Sequence, residues 1–421
     1  MSFWDELPRP FFVLAPMEAV TDVVFRHVVK KAGAPDVFFT EFTNATGWVH
    51  AGDKAIGGRL VKTHDEAPIV AQLWGSVPED MAKLAAHCKQ LGYHGIDINM
   101  GCPDASAVKA GGGAAMIRTP ELATAMIAAT KTASLPVSVK TRLGYSKPDE
   151  WKEWLAHLLH QDIVNLTIHL RTKKEMSKVA AHHELIPDII TLRNEIAPAT
   201  LLTINGDIEN RSEGLALVEK YPGIDGVMIG RGIFHDPFCF TSLLNPVLSP
   251  LPSLSGGVTR PTSLEHESGE DGAAQRSDPR SKEAPNKEPA REIISENLLA
   301  SDSLNSAPAA QLSEPFLQET KSEEQPDTLL PGAKSVPARN GLLGKTVTED
   351  ERSKLMALLN FHLDLHDEWD TPEHPRKFDP LKRFFKVYVH SFEGAAELRD
   401  KLMHTKNTAE VRAVLKEHFL Y

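Results

Sequence analysis

Ile96-Asp97-Ile98-Asn99-Met100-Gly101-Cys102-Pro103 carries an alternating apolar run, which reads as a buried strand ending at Gly101. Cys102 follows at once, on a segment stiffened by Pro103. Lys109 and the run Gly111-Gly112-Gly113 lie in the same loop. A thiol at the C-terminal end of a strand, on a stiffened loop, is placed for chemistry rather than for packing. The glycines admit close approach of another backbone or of a ligand.

Seven further β-rich runs surround this one. They are Phe11–Met17, Val37–Phe42, Ile69–Gly75, Pro136–Arg142, Asn165–Leu170, Leu201–Asp207 and Gly226–Gly232, with Gly95–Gly101 as the fourth in order. Helical periods lie between them at Pro78–Leu91, Pro120–Thr132, Glu150–His160, Ile186–Glu195 and Ser212–Lys220. Near-continuous apolar strands alternating with helices predict parallel strands covered on both faces. Eight such units match an α/β fold of the (β/α)8 TIM-barrel type, whose usual size is about 250 residues. A doubly wound open sheet is the alternative. It fits less well, because polar residues end nearly every strand, as a ring of catalytic loops requires.

Three segments are expected: a barrel over 1–244, a disordered insertion over 245–345 and a helical bundle over 346–421. The insertion is rich in Ser, Pro, Glu, Ala and Asn and poor in aromatics, so it buries too little to offset its ordering entropy. At most a short helix falls near Arg291–Leu299. Thr348-Glu349-Asp350-Glu351 is a capping box that opens a helix to about Trp369. Pro380–Phe392, Gly394–Thr405 and Thr408–Phe419 are also helical by period. Arg376, Lys377, Lys382, Arg383 and Lys386 lie among aromatics there. They form a candidate RNA-facing surface, or a solvated face over a core of Phe384, Phe385 and Tyr388.

The 421 residues are 41% hydrophobic and 24% charged, the composition of an ordinary soluble protein. No apolar run reaches the ~18 residues of a membrane span, and the N-terminus has no signal-peptide pattern, so no membrane partner is expected. Cys88, Cys102 and Cys239 are too few and too far apart for a disulfide framework, which fits a cytoplasmic protein. No metal-ligand spacing of Cys and His is present, and His362 and His366 read as solvated helix residues rather than ligands. Cys88 and Cys239 read as buried packing residues. The net charge of -11 argues against a nucleic-acid partner only weakly, because an RNA footprint is a local patch.

Asn205-Gly206-Asp207 and Gly230-Arg231-Gly232 end the last two strands, where a barrel commonly holds a phosphate. Lys140 and His169 near the ends of strands five and six, with Gln72 on strand three, converge on the same mouth. A lysine, a histidine and an amide there suit a flavin, the lysine countering the negative charge of the reduced ring.

Residues 10–240 and 346–420 resemble the tRNA-dihydrouridine synthases. The resemblance rests on APMEAVTD (15–22), FTEF (39–42), VAQLWG (70–75), DINMGCP (97–103), KAGGGAAMI (109–117), VKTRLG (139–144), HLRT (169–172), INGDI (204–208) and GVMIGRG (226–232). It implies an FMN-dependent barrel, reduced by NADPH, with a C-terminal helical tRNA-binding domain. It also implies FMN contacts at Pro16, Met17, Gln72, Lys140, His169, Asn205, Gly206, Asp207, Gly230 and Arg231. Asn99 is expected to orient the target uracil, and Arg142 and Arg171 to meet substrate. Glu41 is placed to fix this network. By the same resemblance, flavin N5 gives hydride to C6 of a flipped-out uridine and Cys102 protonates C5. A thiol of ordinary pKa, about 8.5, is protonated at neutral pH and serves as an acid without tuning. The chain is expected to act as a monomer on tRNA, without a metal. Two rival readings are a flavin barrel acting on a small pyrimidine or enoate, and a non-enzymatic RNA-binding barrel.

Overall fold

The computed structural model describes residues 2–56, 58–241, 347–372 and 375–419. The expected insertion at 245–345, with the helix considered at Arg291–Leu299, lies outside the described residues. Nine parallel strands form one sheet: Phe11–Leu14 (β1), Phe38–Phe39 (β2), Thr43–Asn44 (β3), Ile69–Trp74 (β4), Gly95–Met100 (β5), Val137–Arg142 (β6), Asn165–His169 (β7), Leu201–Asn205 (β8) and Gly226–Ile229 (β9). Their order is β1-β9-β8-β7-β6-β5-β4-β2, and β3 also pairs with β4, so β2 and β3 share one strand position. A parallel bridge between Val13 and Val37 joins the two ends of this order. Eight positions thus close into a barrel, which rules out the doubly wound open sheet.

The five expected helices form at Pro78–Gln90, Pro120–Lys131, Trp151–Leu159, Ile186–Ile196 and Arg211–Lys220. Three carry proline in the first turn, where the missing N–H has no intrahelical partner to lose. Two more helices, Val23–Gly33 and Ala45–Ala55, complete the first two βα units. Asp22 caps the first of these, accepting from the Phe25 N–H at 2.9 Å. Ile96, Ile98 and Met100 of β5 join the core shared with Leu84, Met126 and Ile127 of the covering helices. Each such fully buried side chain contributes ~1.5–3 kcal/mol.

A separate apolar cluster, including Phe11, Val13, Phe39, Val70 and Met228, comes from β1, β2, β4 and β9. Strands β4 to β8 contribute a buried polar set instead: Gln72, Asp97, Asn99, Ser138, Asn165, Thr167 and Thr203. Hydrogen bonds join these residues from strand to strand, as burial of polar groups demands.

After residue 346 the Thr348 capping box opens a helix at Glu349–Trp369. Ala395–Met403 and Thr408–Phe419 also form as expected. The expected helix at Pro380–Phe392 is instead two short turns, Asp379–Lys382 and Phe385–Tyr388. Val387, Tyr388 and Val389 are all fully buried. Three consecutive residues cannot share one face of an α-helix, so the backbone leaves the helix at Val389. Phe384, Phe385 and Tyr388 are core residues, and Phe384 stacks on Phe25 with ring centroids 4.5 Å apart.

His362 and His366 are buried, at 2% and 6% exposure, not solvated. They continue the stripe of Leu355, Leu358 and Leu359 at helical spacing, so they face inward. His362 Nδ1 lies 2.8 Å from the Tyr388 hydroxyl. No cluster able to hold a metal occurs among the described residues. None of the described helices is long and apolar enough to cross a membrane.

Candidate active site at the barrel mouth

Cys102 stands two residues beyond the end of β5 and is partly exposed. Its backbone is fixed on both sides. The Asn99 side-chain oxygen accepts from the N–H groups of Gly101 and Cys102, at 3.1 and 2.9 Å. The Cys102 carbonyl accepts from the Ala114 N–H at 2.9 Å. That second bond needs the glycine at 113, where φ is +56° and a Cβ would sit 2.7 Å from the Cys102 oxygen. Gly112 is equally confined, against the Trp74 ring and the Gly75 carbonyl. Burial raises the thiol pKa above its ordinary value, while a backbone hydrogen bond from Asp104 works against the rise. The thiol is therefore protonated at neutral pH.

Beneath this loop runs a chain of buried side chains that sequence reading did not foresee. Asp97 accepts from Ser138 Oγ at 2.6 Å and from Gln72 Nε2 at 2.7 Å. Gln72 Oε1 accepts from Asn99 Nδ2 at 3.0 Å. An ionised carboxylate only accepts, so Asp97 sets which way the Gln72 amide points. Gln72 then sets Asn99, whose oxygen is left facing Cys102. Burial raises the Asp97 pKa to about 6, and the bonds from Ser138 and Gln72 oppose the rise.

Lys140 on β6 lies in register with Asn99 on β5. Burial lowers its pKa to about 8, Arg142 pushes the same way, and Asp97 opposes. Arg142, His169 and Asn205 are in register across β6, β7 and β8. His169 Nε2 is 3.1 Å from Arg171 Nη1. A guanidinium only donates, so Nε2 accepts and the ring proton sits on Nδ1. Burial, then the charges of Arg142, Lys140, Arg171 and Arg231, hold the His169 pKa well below its ordinary value. His169 is therefore a neutral donor within a cationic group.

Arg142 and Arg171 are only 7% and 2% exposed. Arg142 donates to the carbonyls of Gly101, Thr172 and Met176, at 2.8, 3.1 and 3.1 Å. Arg171 donates to the Val179 carbonyl at 2.7 Å and to Asp207 Oδ1 at 2.6 Å. Both arginines hold the loops of the mouth.

At the ends of β8 and β9, Asn205 donates to the Met228 carbonyl at 2.8 Å. Gly206 has φ +122°, and a Cβ there would press on Ala181 and the His169 ring. Asp207 also accepts from the Ala181 N–H at 2.9 Å and lies 3.3 Å from Arg231. Arg231 is 56% exposed, and beside it a Cβ on Gly230 would meet nothing nearer than Ala15 at 3.6 Å. An open glycine beside an exposed guanidinium suits a phosphate.

Residues 13–252 match the dihydrouridine synthase (Dus) family. The chain belongs to this family. It is 45% identical to a "Probable tRNA-dihydrouridine synthase 2" of Bacillus subtilis (strain 168) over 417 residues, 99% of this chain and 96% of that protein. It is 44% identical to a "Probable tRNA-dihydrouridine synthase" of Staphylococcus aureus (strain COL), over 99% of this chain and 95% of that one. Among solved structures, an old yellow enzyme homologue from Zymomonas mobilis matches 56% of this chain and 90% of its own, with 14% identity and a TM-score of 0.38. The activity is that of a tRNA-dihydrouridine synthase, an oxidoreductase acting on a CH–CH bond.

In this dihydrouridine synthase barrel, hydrogen bonds and strand register bring Gln72, Asn99, Cys102, Lys140, Arg142, His169, Arg171, Asn205, Gly206, Asp207 and Arg231 together. Pro16 and Met17 follow β1, which pairs with β9. Glu41 accepts from the Ala19 N–H at 2.6 Å, beside Met17. Burial, then the charges of Asp22 and Glu18, raise the Glu41 pKa to about 7. Cys88 and Cys239 are buried, as expected. Asp97 and Ser138 were missed. Their signal was a carboxylate inside an otherwise apolar strand, which has to find partners.

Proposed function

We propose that this mouth binds FMN, uses NADPH as reductant and reduces a uridine of tRNA, with Cys102 as the acid. The observation that carries the reading is Cys102 itself, partly exposed, protonated and held by Asn99 and Ala114 in a loop that Arg142 also braces. Bound FMN, reduced by NADPH, supplies hydride to C6 of the uracil.

The residues present fit such a group. Gly206, Gly230 and Arg231 take the phosphate, with Asn205 and Asp207 shaping that end. Pro16, Met17 and Gln72 would hold the ring. Lys140 counters negative charge on the flavin edge, and His169 donates from Nδ1. The target uridine leaves the base stack, since its reactive carbons are out of reach while stacked. Asn99 keeps Cys102 aimed at the uracil, and Arg142 and Arg171 add fixed positive charge behind the loops that meet it. Cys102 Sγ–H then gives its proton to C5. The helices after residue 346 contact tRNA. The three cysteines are unpaired, which supports a reducing, cytoplasmic setting.

The test is dihydrouridine formation on unmodified tRNA by purified protein with FMN and NADPH. Product formation is expected. NADPH oxidation with no dihydrouridine would move the substrate away from tRNA.

A further inference from the structure

The loop Met17–Asp22, between β1 and the helix Val23–Gly33, is gripped from two sides. Ala19 has φ +56°, a left-handed conformation in a residue with a Cβ. Its N–H donates to Glu41 Oε1 at 2.6 Å, within the barrel. Its carbonyl accepts from Arg383 Nη1, also at 2.6 Å, out of the C-terminal helices. Asp22 divides its carboxylate in the same way. One oxygen caps the Val23–Gly33 helix through the Phe25 N–H, and the other pairs with Arg376. Arg383 is itself steadied by the Pro380 carbonyl at 3.0 Å, and Phe384 beside it stacks on Phe25. Within the loop, the Met17 carbonyl accepts from the N–H groups of Val20 and Thr21, and the Met17 N–H donates to Thr21 Oγ1. Met17 therefore moves only as the whole turn moves.

Two of the five basic residues that sequence alone offered as an RNA-facing surface are thus turned toward the β1 loop. We propose that Arg383 and Arg376 are positioning residues for the flavin site. The C-terminal helices set the conformation of the turn that carries Met17, and with it FMN affinity and reduction, before any RNA binds. This rests on reading Pro16 and Met17 as flavin contacts. A left-handed alanine persists only while its neighbours over-determine it. Without the Arg383 guanidinium the Ala19 carbonyl loses a charged donor, and the turn is free to relax toward commoner backbone angles.

The test uses the full-length chain without RNA. FMN affinity is measured by quenching of flavin fluorescence, and FMN reduction by NADPH in stopped flow. Arg383→Ala is expected to weaken FMN binding about tenfold, the effect of losing one charged hydrogen bond, and to slow reduction. Arg383→Lys keeps a donor and should recover most of both. If Arg383→Ala fails to fold, judged by its thermal transition, Arg376→Gln carries the same comparison from the Asp22 side. Variants that match the wild type in both RNA-free measurements, and lose only turnover of tRNA, would overturn the inference and leave these arginines to RNA. A wild-type chain that binds no FMN would overturn the flavin reading beneath it, a failure visible before any substitution is made.

Discussion

The side-chain oxygen of Asn99 lies 2.9 Å from the backbone nitrogen of Cys102, three residues further along the chain. The same oxygen takes the Gly101 N–H, so one amide closes the end of β5 into a rigid turn. The thiol inherits its aim from that turn. Anything that reverses the Asn99 amide would point an NH2 group at two N–H groups and open it.

Cys102→Ala should leave flavin binding and NADPH oxidation intact and cut dihydrouridine formation at least ~100-fold, the usual scale for a positioned acid. Burial raises the thiol pKa, so the acid form persists through neutral pH and is lost only as pH rises past that raised value. A pH profile of product formation in the wild type checks this. A fall below pH 7 tied to Cys102 would contradict it.

Asp97→Asn replaces an acceptor with a group able to point either way. Gln72 and Asn99 lose their enforced orientation, and product formation should drop about tenfold. Lys140 loses a negative neighbour, which disfavours its ammonium and lowers its pKa below about 8. The alkaline limb of FMN reduction by NADPH should therefore move to lower pH. An unmoved limb would detach Asp97 from Lys140.

Gly113→Ala places a Cβ 2.7 Å from the Cys102 carbonyl and adds a left-handed cost of ~1–2 kcal/mol. The protein should still take up flavin, seen in its visible spectrum, while turnover of tRNA falls more than about tenfold. Wild-type turnover would show that the loop tolerates a different path.

His362, buried against Tyr388, has its pKa lowered to about 3 by burial. Unfolded, it binds a proton near pH 6.5, so the unfolded state gains protons first on acidification. Its contribution to stability is present above 6.5 and is lost as pH falls toward 3. Between pH 7 and 5 the loss is about 2 kcal/mol. His362→Gln should remove that slope in urea unfolding measured at the two pH values. An unchanged slope would place the titration elsewhere.

Much of the barrel was legible in the chain. Its eight strand runs are short, apolar and bounded by Gly, Pro or charged residues, which separates them from the longer amphipathic stretches between them. The thiol loop was legible because Cys102, Pro103 and Gly111-Gly112-Gly113 are local. The sequence puts Arg142 at the end of one strand and Arg171 just past the next, but nothing local showed that their guanidinium groups end on Gly101, Thr172, Met176, Val179 and Asp207. His362 and His366 were misjudged although the signal was present, since they extend the leucine stripe of their own helix.

By itself the sequence determined most of the barrel's elements, their order along the chain and which side chains arrive at the strand ends, because hydrophobic period and turn chemistry act over a few residues. Only the tertiary structure decided how those side chains are paired. Asp97 reaches Gln72 across 25 residues and Arg383 reaches Ala19 across 364. Such partners are chosen by strand register and by docking of distant segments, and no local pattern encodes which buried donor meets which acceptor.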